Sequence, residues 1–391
     1  MGQRVLLTGG RAPVALEFAR RFADAGHEVF SAESMPVDLC RTSSSVRASH
    51  RVPMPNRDPG AYVEALAAII ERERIDVLLP TCEEIFYVAG GLERLGSLCR
   101  VLAPPLDVMR GLHSKWEFIE QARGHGLPVP ETWRLTSKRA LDEFAAAYRR
   151  PFVLKPEFSR FATQVHMVDG PKQFDRARER LEPSPEQPWV AQERVDGALW
   201  CSYTVAIEGA AAVHAVWPAE FTAGLGATIR FAPGDVPEID AWVTGFLKAT
   251  GFTGQISFDF IVRPDGTALP LECNPRTTSG VHLFGGRDLP GAILSVLDGR
   301  RPDTPLVPDP EARAMIGLAM LTFGLSSVRR PRDLSNWCRA FAGSRDVTYR
   351  RDDPRPFFSQ FAVLRHNLWL AAVLRRPVIA CSTHDIEWNG Q

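Results

Sequence analysis

The sequence lacks the features that would place it in a membrane, in an oxidising compartment or on a nucleic acid. No apolar run approaches the roughly 20 residues needed to cross a bilayer. Its seven cysteines (40, 82, 99, 201, 273, 338 and 381) include no C-x-x-C pair. An odd, scattered set argues against a disulfide frame or a zinc site and for reduced thiols in a cytoplasmic protein. There is no net charge either, since Lys plus Arg and Asp plus Glu both number 46. No global field therefore draws the chain to nucleic acid or an anionic surface, and any polyanion must be held by a local site. Internal repeats and low-complexity tracts are missing as well. The opening MGQRVLLTGG reads as the start of a strand and not as a secretory signal, its apolar run being too short.

What is present is an ordinary globular composition, 45% hydrophobic and 24% charged over 391 residues, enough for two or three domains. The first hundred residues alternate strand and helix: RVLLTG, a helix over 14–25 closed by Gly26, HEVFSA, a helix over 62–72, and IDVLLP. That rhythm predicts an α/β fold with a parallel sheet. The turn Gly9-Gly10-Arg11-Ala12-Pro13-Val14 lacks the G-x-G-x-x-G spacing that lets a backbone approach a pyrophosphate. Glu33 is accordingly read as a solvated strand end, not a ribose ligand. Pro104-Pro105 mark a boundary. Beyond it the chain predicts a helix from Leu106, a helix over 137–148, the strand PFVLKP, the strands WVAQE, CSYTVAIEG and AAVHAVWP, and a helix over 236–250.

The stretch FDFIVRPDGTALPLECNPR, residues 258–276, reads as a hairpin. Asp265-Gly266 between alternating apolar runs predicts a two-residue type I′ turn. That register sets Asp259 opposite Glu272, with Asn274 on the same face. Facing carboxylates repel, so the arrangement calls for a cation. A few hard oxygen donors suit Mg²⁺, with Mn²⁺ able to replace it, completed by water and substrate phosphates. Lys155, set among Phe152, Val153, Leu154 and Pro156, is a charge in apolar company that needs an anion. Lys115 stands at a helix start, and Gln192-Glu193-Arg194-Val195-Asp196-Gly197 ends a strand in a turn.

In this order the motifs resemble the ATP-grasp superfamily, and within it the carboxylate–amine ligases and proteins like the large subunit of carbamoyl-phosphate synthase. The resemblance covers about residues 1–290. It implies a Rossmann-like domain that precedes the grasp (1–105), a small lobe (106–190), a large lobe with the metal site (191–300) and a mostly helical C-terminal extension (301–391). It also implies that Lys115 and Lys155 contact ATP phosphates, and that Gln192, Glu193 and Val195 form the hinge that holds adenine. Asp259, Glu272 and Asn274 would hold Mg²⁺, and Arg276 would steady the transferred phosphoryl group. The implied activity joins a small-molecule carboxylate to an amine through an acyl phosphate. A phosphotransferase or carbamoyl-phosphate-type synthase, and a nucleotide-binding regulator with little turnover, stay open beside it, as does a homodimer.

Three departures stand out. The first metal position holds Asp259 where family members commonly carry Glu. Leu199 stands where a ribose-binding Glu is usual. The loop after Lys155, EFSRFATQV, has no glycine, which leaves Ser159 and Arg160 to close on the phosphates. Elsewhere, Cys82 is expected to be a bystander thiol, Glu83 and Glu84 to cap the following helix, and His282 to be satisfied locally or to line an acceptor site. The amphipathic helix 357–374, with Arg365 its one charged residue, is expected to pack in the core, with contact to an acyl chain or membrane as the alternative.

Overall fold

The computed structural model describes residues 2–159, 164–224 and 227–390. Its N-terminal part is a five-stranded, all-parallel sheet in the order Ala48–Arg51, Glu28–Glu33, Arg4–Thr8, Val77–Leu79, Arg100–Val101. Helices Pro13–Asp24 and Pro59–Glu73 cover it. Each helix begins on a proline, whose fixed φ suits the first turn. Strand order reverses between Arg4–Thr8 and Val77–Leu79, so the turns leaving these two strands flank a crevice where such sheets bind ligands. The expected α/β rhythm is present. The strand Ala48–Arg51 carried no pattern of its own.

Two antiparallel sheets follow. The smaller runs Thr132–Leu135, Trp189–Glu193, Phe152–Pro156, His166–Val168, and the larger runs Ala210–Pro218, Ala198–Ile207, Gly254–Val262, Ala268–Asn274. Helices Leu106–His113 and Glu117–Gly124 pack with the larger sheet, where Leu112 and Phe118 share a core with Trp242, Phe246 and Phe258. The last ninety residues are not helical throughout. Ala314–Met315 and Arg345–Asp346 join Arg230–Phe231 in a small sheet beside helices Pro331–Ala342 and Arg355–Leu374.

The chain's end returns to the N-terminal sheet. Arg11 is buried and ion-paired with both Glu33 and Asp385. Glu33 is therefore no solvated strand end, and it also accepts the N–H of Met35 at 2.8 Å. Trp388 stacks on Phe86 with centroids 4.5 Å apart. Helix Arg355–Leu374 departs from expectation. Its inward face is a narrow line of Pro356, Gln360, Asn367 and Leu370, while Phe358 and Trp369 stay 65% and 58% exposed. A helix apolar on nearly every side has no distinct stripe, so periodicity could not say which face, if any, would be covered.

Candidate active site

The hairpin sets the site. Asp259 pairs with Glu272 and Ser257 with Asn274 across the ladder. The turn that leads there is different from the one expected. Gly266 alone takes positive φ (+87°), the N–H of Gly266 donates to Arg263 O at 2.9 Å, and Arg263 N to Thr267 O at 3.0 Å. Pro264 and Asp265 thus occupy the centre of the turn and Gly266 closes it in the left-handed region, a three-residue loop. Near the turn, Phe260 pairs with Pro270 and Val262 with Ala268, and a bulge at Leu271 restores the Asp259–Glu272 register. That bulge has a use, because the Leu271 carbonyl accepts from Lys155 Nζ at 2.9 Å.

Lys155 is 6% exposed. Its second acceptor is Gln192 Oε1 at 3.0 Å, and Gln192 Nε2 donates to Thr132 Oγ1 at 3.2 Å. Burial lowers the ammonium's pKa from 10.5 to about 8, against the upward pull of Glu272. Lys115 is 4% exposed, donates to the Ser159 carbonyl at 3.0 Å and lies 3.6 Å from Glu272 Oε2. The two carboxylates respond in opposite directions. Burial, then the charge of Glu272, raises Asp259 well above the usual carboxylate range. Burial pushes Glu272 up too, but Lys115 and Lys155 outweigh it and hold that carboxyl below its ordinary value.

Two cavities meet at this pair. One, of about 200 Å³, is lined by Lys115, Lys155, Ser159, Gln192, Glu193 and Val195, with Leu199, Met167 and Leu271 among its apolar walls. Glu193 Oε1 accepts from Arg263 Nη2 at 3.1 Å, and its N–H donates to Glu131 O at 2.8 Å. Gly197, just past this hinge, lies against the strand Gly254–Val262 so closely that a Cβ would stand 2.3 Å from Val262 O. The other cavity, of about 310 Å³, holds Asn274 and Arg276 and reaches the Ala12–Val14 turn, Cys82 and Trp217. Arg276 Nη2 donates to Asn274 Oδ1 at 2.9 Å. Every described residue expected at the site therefore lines one of the two cavities. Arg160 lies outside the described residues.

Of the two readings of His282, local satisfaction holds: it is buried with Nδ1 3.1 Å from Glu17 Oε2 and lines neither cavity. The expectation for Glu84 is corrected. Glu84 makes no cap on the helix it precedes. Its Oε1 accepts from the N–H groups of Thr81 and Cys82, each at 3.0 Å, and from Thr8 Oγ1 at 2.7 Å, bracing the loop that borders the second cavity. Glu157 was overlooked. Fully buried, it accepts from Ser114 Oγ and Arg134 Nε at 2.6 Å each, and its carbonyl takes the Lys115 N–H at 3.2 Å, tying the two lysine-bearing segments together. An acid directly after a strand ending in Lys-Pro was the available signal.

The fit to a divalent cation follows from the donors. Among the described residues no group of three or more His, Cys, Asp or Glu is arranged around a common point. Two carboxylates and an amide leave most coordination positions to water and phosphate, the pattern of Mg²⁺. Burial raises Asp259 first and the facing charge of Glu272 adds to it, so a cation at this pair would be favourable. Among the described residues, no helix is long and apolar enough to cross a membrane.

No family model and no curated protein sequence matches the chain. Solved structures do. An L-amino acid ligase from Bacillus licheniformis is 17% identical with a TM-score of 0.59, over 76% of this chain and 74% of that one. N5-carboxyaminoimidazole synthetase from Staphylococcus aureus, solved with ADP, is 14% identical with a TM-score of 0.63, over 85% and 87%. The biotin carboxylase domain of the Hydrogenobacter thermophilus 2-oxoglutarate carboxylase, solved with MgADP and bicarbonate, is 12% identical with a TM-score of 0.62, over 78% and 72%.

Proposed function

We propose that this chain, which has the ATP-grasp fold, is a Mg²⁺- and ATP-dependent ligase that activates a carboxylate and joins it to an amine. In this reading residues 1–105 precede the grasp. Its two lobes divide in sequence near residue 190, with helices 106–124 packed on the second, and 301–391 form an extension. The observation that carries the proposal is the position of Asp259 and Glu272. They border both cavities, with two buried lysines on one side and an arginine on the other.

ATP in the first cavity would place its phosphates beside Lys115 and Lys155, whose positive charges offset the charge that the phosphates bring. The adenine would lie along the main chain of Glu193 and Val195. Asp259, Glu272 and Asn274 would hold Mg²⁺, which would add to the neutralisation of the phosphates. An oxygen of the substrate carboxylate, arriving from the second cavity, then attacks the γ-phosphorus, and the bond to the β-phosphate oxygen breaks to release ADP. Arg276 borders the path of the transferred group, and its planar fork of donors suits a phosphoryl oxygen pair. The amine next adds to the acyl carbon, phosphate departs, and the surplus amine proton passes to solvent. No nucleophilic side chain is needed, in keeping with a site made of lysines, acids and an arginine.

Hydroxylamine in place of the amine tests the scheme. An acyl phosphate yields a hydroxamate together with ADP and phosphate. Release of AMP and pyrophosphate would replace the scheme with adenylation.

A further inference from the structure

The second cavity restricts what the acid can be. At about 310 Å³ it stands at the low end of the roughly 300–1,000 Å³ of small-molecule sites. Among the described residues that line it, Arg276 is the sole cation, and the only anions are the two shelf carboxylates. Much of the remaining wall is apolar: Ala12, Pro13, Val14, Trp217, Ala227 and Ile316. Several of its hydroxyls are already engaged with the protein. Thr81 Oγ1 donates to Thr8 O at 2.8 Å, Thr277 Oγ1 donates to Gln255 Oε1, and Thr278 Oγ1 is 2.8 Å from Ser257 Oγ. A substrate's second anion would find no cation beyond Arg276, and an ammonium would find only the two carboxylates that the ligase reading commits to Mg²⁺, so either charge would leave water at a cost.

We propose that the acid substrate is a compact monocarboxylate whose remainder is uncharged and largely apolar. Its carboxylate lies toward Arg276 and the shelf, and its remainder lies against the Ala12–Val14 turn and Trp217. Dicarboxylates, phosphorylated acids and zwitterionic α-amino acids are disfavoured as the acid. The inference rests on the ligase reading above and narrows it.

The test is hydroxamate and ADP formation by the full chain with Mg·ATP, hydroxylamine and a panel of acids: isobutyrate and benzoate, succinate, glycine and 3-phosphoglycerate. Expected is a kcat/KM for isobutyrate or benzoate at least a hundredfold above the charged acids. Hydroxamate made best from succinate, glycine or 3-phosphoglycerate overturns the inference while the ligase reading stands. No hydroxamate and no acid-dependent ADP from any of them overturns both. Val14→Lys should shift the succinate-to-isobutyrate ratio by tenfold or more toward succinate. Ile316→Lys, on a separate element of the same wall, is the companion should the first variant fold poorly. An unchanged ratio in a folded variant would show that the acid sits elsewhere.

Discussion

Lys155→Met probes the nucleotide side at a group whose surroundings set the size of the effect. Burial brings the ammonium from 10.5 to about 8, which at ~1.36 kcal/mol per unit is roughly 3 kcal/mol against the charged form. The folded value lies below the unfolded one. That penalty is therefore fully present below about pH 8 and is relieved as pH rises toward 10.5. Methionine keeps the apolar stem and removes the penalty. It also strands the two acceptors, Gln192 Oε1 at 3.0 Å and the Leu271 carbonyl at 2.9 Å, at a cost of about 1 kcal/mol or more each. Near pH 7 these effects largely cancel, and the ligand-free variant should unfold in urea within about 2 kcal/mol of the parent. Between pH 8 and 10.5 the parent should gain on the variant by up to about 3 kcal/mol, the difference isolating Lys155 from other titrating groups.

Binding should not cancel in this way. In the proposed site ATP would add phosphate charge beside the buried ammonium, so the variant should bind a non-hydrolysable Mg·ATP analogue at least tenfold more weakly, about 1.4 kcal/mol. Titration calorimetry reads this directly. Unchanged affinity, together with a stability difference that ignores pH, would refute the reasoning and make Lys155 a bystander.

Three further outcomes are expected. Glu272→Gln removes one of the facing charges and the carboxylate 3.6 Å from Lys115; Mg·ATP turnover should fall by orders of magnitude, and near-normal ADP release would end the metal assignment. Arg276→Lys keeps the charge but loses the planar fork; hydroxamate-forming kcat should drop tenfold or more while nucleotide affinity stays within about threefold, as a side chain lining the second cavity alone requires. Trp388→Ala empties the stack 4.5 Å from Phe86 and the edge contact 6.0 Å from Phe158; urea denaturation should show a loss of about 3 kcal/mol or more, and an unchanged midpoint would mean that the tail does not brace the N-terminal sheet.

What the sequence made legible, and what it hid, divides by the range of the interaction. Strand–helix alternation, the hairpin and the setting of Lys155 are local patterns, and each lies in the structure near its expected place. The closure of Arg11 and Glu33 by Asp385 joins residues more than 350 positions apart, and nothing near Glu33 distinguishes a buried strand end from a solvated one. His282 shows the same limit: its partner, Glu17, lies on the first helix. Glu157 is the intermediate case, a buried acid whose partners come from two other segments, visible only as a carboxylate next to an apolar strand.

The hairpin shows that a correct pairing can rest on two errors of register. A type I′ turn at Asp265-Gly266 would align Asp259 with Glu272 in an unbroken ladder, with Leu271 buried in it as an ordinary pair. The actual turn, centred on Pro264 and Asp265, displaces the ladder by one residue, and the bulge at Leu271 displaces it back. Since side chains alternate with a period of two, the turn without the bulge would rotate Glu272 to the opposite face. The bulge is thus what brings the two carboxylates together on one face. The same distortion frees the Leu271 carbonyl from the ladder to hold Lys155 Nζ at 2.9 Å. One irregular residue therefore aligns Asp259 with Glu272 and fixes Lys155, coupling the two cavities through the backbone.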